Sequence, residues 1–123
     1  MRHIQPDQLI TYLSLGKPVE QWLGAVDQGD YGIIRWLKIS PEKTGGYVVL
    51  YIESFDDGSE DFIDVVQFEP VDPDEFFVTA GPFETPEDAI AYSEKTYSCT
   101  RGRFVNEGMI QYEYLDYVRS KRK

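Results

Sequence analysis

Two apolar segments, 47–55 and 60–69, lie on either side of an Asp57-Gly58 dipeptide. Both alternate in polarity and are rich in aromatic and β-branched residues, which fit a pleated surface. Asp-Gly between such segments is a strong local hairpin signal, because a two-residue turn of that twist needs positive φ at both positions. The expectation is a central hairpin over 46–68. A two-residue turn sets its register, placing Tyr51 opposite Asp64, Glu53 opposite Phe62, Phe55 opposite Glu60, Val49 opposite Val66 and Tyr47 opposite Phe68. Side chains alternate with period two, so these residues share one face. The opposite face carries Val48, Leu50, Ile52, Ile63 and Val65 and is read as the core side. A slip of one residue would exchange the two faces.

The rest of the chain supports an α+β reading. "YGIIRWLKIS" (31–40) ends at Pro41 and reads as a strand, as does "FFVTAGPF" (76–83). Helices are expected near 7–15, 86–97 and 107–120. The clearest start is "TPEDAIAY", with Thr85 as N-cap, Pro86 at the first helical position, and Glu87 and Asp88 in the first turn. Ile110, Tyr114, Tyr117 and Val118 share a helical stripe, although 107–120 could also be extended. Residues 18–27 fit either a helix or a strand. The predicted architecture is an antiparallel sheet of three to four strands with helices on one face. At 123 residues the chain fits a single domain over 1–123.

Charge limits the choice of partner. The net charge is −10, yet residues 44–94 hold fourteen acids and no Lys, Arg or His. Such a field repels nucleic-acid phosphates and anionic lipid, and attracts basic proteins or cations. Nucleic acid and membrane are therefore not expected as partners, and the basic "RSKRK" end (119–123) is read as a complement to a helix C-terminus. The N-terminus lacks a signal-peptide pattern, and no apolar run approaches the ~20 residues of a membrane span, so a soluble, cytoplasmic protein is expected.

Few chemistries remain open. His3 is the sole histidine and Cys99 the sole cysteine, which removes a disulfide, CxxC sites and multi-histidine zinc sites. Arg101 and Arg103 stand close to Cys99 in sequence and could lower its pKa, but a small, partly buried thiol is the plainer reading. Residues 53–64 have the length of an EF-hand loop, with Gly58 at its sixth position. Phe55 occupies the third position and Asp64 the twelfth, where an oxygen ligand and a bidentate Glu are needed. No metal or cofactor site is assigned; weak cation binding by Asp56, Asp57, Glu60 and Asp61 is an alternative, as is an enzyme. The expected function is a non-enzymatic protein-interaction domain. Its candidate surface is Tyr47, Tyr51, Glu53, Phe55, Glu60, Phe62, Asp64 and Phe68. The partner is a basic protein or a second copy of the chain, and an inhibitor or immunity-type protein against a basic toxin or nuclease is the sharper form.

Overall fold

A computed structural model describes residues 2–121. Arg122 and Lys123 of the basic tail lie outside the described residues. The fold is an α+β domain built on one antiparallel sheet of five strands: β1 (Val19–Asp27), β2 (Gly32–Pro41), β3 (Tyr47–Phe55), β4 (Val78–Phe83) and β5 (Val105–Asn106), in the order β4-β3-β2-β1-β5. Three α-helices accompany it: α1 (Leu9–Ser14), α2 (Pro86–Tyr97) and α3 (Ile110–Lys121). Residues 18–27, ambiguous in sequence, form β1. A bulge between Trp22 and Gly24 interrupts their two-residue period.

The expected hairpin over 46–68 does not form. β3 pairs with β2 on one side and β4 on the other, with Ile33 opposite Phe55, Leu37 opposite Tyr51 and Pro41 opposite Tyr47. The turn joining β2 to β3 lies at Glu42–Gly46, where Gly45 and Gly46 take φ of 104° and 85°. Two glycines in the left-handed region supply the twist that the hairpin needs. Beyond β3 the chain leaves the ladder. Ser59 and Phe62 exchange backbone hydrogen bonds of 3.1 Å, and Val65–Gln67 form a single 3-10 turn. Edge cover comes from residues 69–71: Phe55 N–H donates to Glu69 O at 2.9 Å, and Val71 N–H to Glu53 O at 3.2 Å.

Both faces of the sheet are covered, not one. Leu37, Ile39, Val49 and Val19 pack against Leu9 and Leu13 of α1 and Ala89 and Ile90 of α2. Ile34, Trp36 and Ile52 on the reverse face pack against Ile110 and Tyr114 of α3, and against Val65 and Phe68. The alternation in β3 therefore separates two buried layers, an aromatic one toward α2 and an aliphatic one toward α3, rather than core from solvent.

The helix termini follow local rules. Thr85 Oγ1 accepts from Asp88 N at 3.1 Å, and Pro86 stands at the first helical position. Thr85→Ala is expected to cost about 1 kcal/mol in a urea melt, whereas an unchanged midpoint would show that the cap contributes nothing. The start of α3 is capped from across the sheet. Glu20, 2% exposed, accepts from Gly108 N at 2.9 Å and Ile110 N at 3.3 Å. Burial raises the proton affinity of this carboxyl, and the two N–H donors oppose that rise. Arg2 and His3 fasten the N-terminal segment to α3 through Glu113, at 2.7 and 2.9 Å.

Candidate functional site

The eight residues read as one face are divided among several environments. Tyr47 is half-buried against the α2 layer. Phe55 meets Tyr31 edge-on, with ring centroids 5.6 Å apart. Phe68 is buried on the opposite side of the sheet, where it contacts Phe62 and Tyr114. Glu60 and Asp64 lie in the loop after β3, and Asp64 accepts from Gln67 Nε2 at 2.8 Å. Of the eight, only Tyr51 and Glu53 remain together at a cavity. Their separation follows from the lost register: residues expected to sit opposite β3 as a strand instead fold over the reverse face.

The Tyr51 ring stacks on Tyr97 at 4.4 Å, and its hydroxyl donates to Glu53 Oε2 at 2.6 Å. Partial burial, and then the acceptor Glu53, push the phenol pKa up to about 12, with Arg35 opposing. The pair thus keeps one fixed hydrogen bond. Around it lies a small pocket of about 160 Å³, lined by Tyr51, Glu53, Val71, Asp72, Glu75, Phe76, Phe77 and Val78. Three acidic residues line it and no lysine or arginine does, while Arg35, opposite Glu53 on β2, reaches the Tyr51 hydroxyl beside it. A cation entering this pocket would meet a concentrated negative potential.

Phe76 and Phe77 also wall a second, larger cavity. This groove of about 380 Å³ opens on the α3 side of the sheet, over Trp36, Leu50, Ile52 and Ser54, with Val65, Val66 and Phe68 opposite. Its lining is mostly apolar, and several of these residues are held out to solvent: Val66 is 71% exposed, Phe76 61% and Phe77 49%. Aromatic and aliphatic surface clustered around a concavity marks a binding site more often than scattered exposed residues do. Two residues of the groove lining, Trp36 and Ser54, carry buried polar atoms, Nε1 and Oγ, with no hydrogen-bond partner among the described residues. Such orphaned groups are uncommon, since each forfeits its hydration without a replacement.

A third cavity, polar and open, lies near the end of α2, where Arg35, Arg103, Gln21 and Thr100 meet. Gln21 spans its floor, donating to Thr100 O and accepting from Thr100 N at 2.8 Å each.

Two of the acids considered for cation binding have structural partners. Asp56 accepts from the buried Tyr114 hydroxyl and faces Lys121 Nζ at 3.3 Å, and Asp57 accepts from Glu69 N at 2.9 Å. Among the described residues, no group of three or more His, Cys, Asp or Glu side chains is placed to hold a metal ion. Likewise, no helix among them is long and apolar enough to cross a membrane. Cys99 is buried; burial, and then Glu94, push its thiol up to about 12. Arg101 does not activate it, because its guanidinium is engaged by Glu87 and Glu94 at 2.6–3.1 Å. Iodoacetamide at pH 8 is therefore expected to leave Cys99 unmodified in the folded protein and to alkylate it in urea. Equal rates in the two states would contradict this environment.

The signal for this site was present in "DPDEFFV" (72–78), where three acids precede two phenylalanines. By local pattern only the strand over 76–83 is legible there. The groove and pocket exist only because residues 69–77 wrap the edge of β3, a contact that no local pattern reveals. No protein-family model matches the chain, and neither the curated proteins nor the solved structures compared with it include a match.

Proposed function

We propose that this chain is a non-enzymatic protein-interaction domain whose partner is basic. The observation that carries this reading is the pocket of Glu53, Asp72 and Glu75, which no cation lines, set against exposed Phe76, Phe77 and Val78. Carboxylates supply steering and choice of partner, while aromatic side chains supply contact area with little rotamer entropy to lose. The segment lacking any base, 44–94, contains the whole of this surface apart from Glu20, Trp36 and Lys38. An inhibitor or immunity-type protein acting on a basic toxin or nuclease is the narrower form of the proposal.

The direct test is an NMR titration with an oligolysine peptide. Shifts concentrated at Glu53, Asp72, Glu75 and the adjoining phenylalanines, and lost as salt rises, support the proposal. Shifts spread evenly over the acidic surface overturn it, since a uniform field would do as much without a site.

Self-association is a second reading, favoured by the position of β4 at the sheet edge. An open edge presents unpaired backbone groups to another chain. Pro82 lacks an N–H and interrupts that row, which restricts strand-to-strand pairing to the beginning of β4. Size-exclusion chromatography separates the readings: a homodimer elutes early without any partner.

A further inference from the structure

We infer that the partner's contact segment carries an apolar side chain within a few residues of a lysine or arginine, the first seated in the groove over Trp36 and the second in the pocket of Glu53, Asp72 and Glu75. This rests on the proposed binding of a basic partner and specifies how that partner is read. Three observations carry it. The groove and the pocket open on opposite faces of β3 but share Phe76 and Phe77 as a common wall, so a segment passing around the sheet edge over these rings meets both. Their linings are complementary in kind: the groove is mostly apolar, and the pocket holds three carboxylates without a base. Trp36 and Ser54, 5% and 2% exposed, line the groove, and Trp36 Nε1 and Ser54 Oγ have no partner among the described residues. Both atoms are fully covered in the free chain, so a backbone carbonyl of the incoming segment reaches either donor only if the groove wall shifts on binding.

Recognition would then be conjunctive. Polylysine without an anchor would satisfy only the pocket, and an apolar peptide without a base would satisfy only the groove. The exposed Phe76 and Phe77 rings would be covered on binding, as expected of aromatic anchors at the centre of an interface.

Selection of a displayed random-peptide library against the full chain provides the test. The expected result is a consensus pairing Leu, Ile, Met or Phe with a nearby Lys or Arg. The best synthetic peptide should bind at least tenfold more weakly to Phe77→Ser and to Glu75→Gln, both with unchanged melting temperature. It should also move the Trp36 indole N–H resonance, which Trp22→Phe distinguishes from that of Trp22. Basic peptides with no apolar consensus and a stationary Trp36 resonance would overturn this inference while leaving the basic-partner proposal standing. Apolar peptides without a base, or no enrichment at all, would overturn both.

Discussion

Alanine at Gly58 is expected to lower the stability of the domain by about 3 kcal/mol, at the upper end of the usual range for overpacking. By the scaling of melting temperature with size, this corresponds to a fall of roughly 10 °C. A Cβ at this position would overlap the Phe62 carbonyl oxygen and the Phe68 ring, and would lie 2.8 Å from the Tyr114 hydroxyl. None of these can yield cheaply. Phe62 O is backbone that also accepts from Ser59 N, and Phe68 and Tyr114 are buried against one another with ring centroids 5.1 Å apart. The Tyr114 hydroxyl is further held by Asp56. A thermal melt of Gly58→Ala reads the effect directly. A melting temperature within a degree or two of wild type would mean that the loop after β3 is not pressed against α3 as described.

The same glycine shows why the sequence misled at this point. Asp57-Gly58 was read as a turn that needs positive φ, but Gly58 is not among the glycines with positive φ. It is required because the backbone passes too close to Phe68 and Tyr114 to admit a side chain. Both requirements select glycine, and one sequence does not distinguish them. The glycines that do shape a hairpin are Gly45 and Gly46, between β2 and β3.

What was legible was local. Thr85, Pro86 and the acids after them specify the start of α2 through short-range capping, and the helix occupies Pro86–Tyr97. The stripe of Ile110, Tyr114, Tyr117 and Val118 correctly indicated α3, since all four pack into one cluster. What was not legible depended on distant contacts. β3 alternates between aromatic and aliphatic residues, and either face could have been the wet one. Only α2 on one side and the Val65–Phe68 segment with α3 on the other show that both are largely covered. Of the candidate surface, Tyr51 and Glu53 were placed together because they are two apart on one strand. Asp72, Glu75, Phe76 and Phe77 reach them only through a loop of more than twenty residues between β3 and β4.

The second large effect concerns binding. Replacing Glu53, Asp72 and Glu75 together by Gln, Asn and Gln should weaken a basic partner about 100-fold at low salt, near 3 kcal/mol. Exposed acids contribute individually little, on the order of 0.2–1 kcal/mol. Three of them lining one pocket together approach the sum of three such contributions at the upper end of that range. Most of the loss should appear in the association rate, and the difference between wild type and variant should shrink as salt rises. Folding should be little affected, because Glu53, Asp72 and Glu75 are all exposed. A control variant neutralising Asp7, Glu42 and Glu84, also exposed, removes the same charge elsewhere on the surface. If both variants weaken binding equally, net charge rather than the pocket drives association.

The claim that the Phe76–Phe77 edge is the binding surface is tested most directly by photocrosslinking from position 77 in the cells that make the protein. A photoreactive phenylalanine analogue there should capture a basic protein through a segment containing lysine or arginine beside an apolar residue, and the Glu53/Asp72/Glu75 variant should abolish capture. The same analogue at Tyr112, exposed on α3, should not capture it. Equal capture from positions 77 and 112, or capture that survives loss of the three acids, would contradict the account.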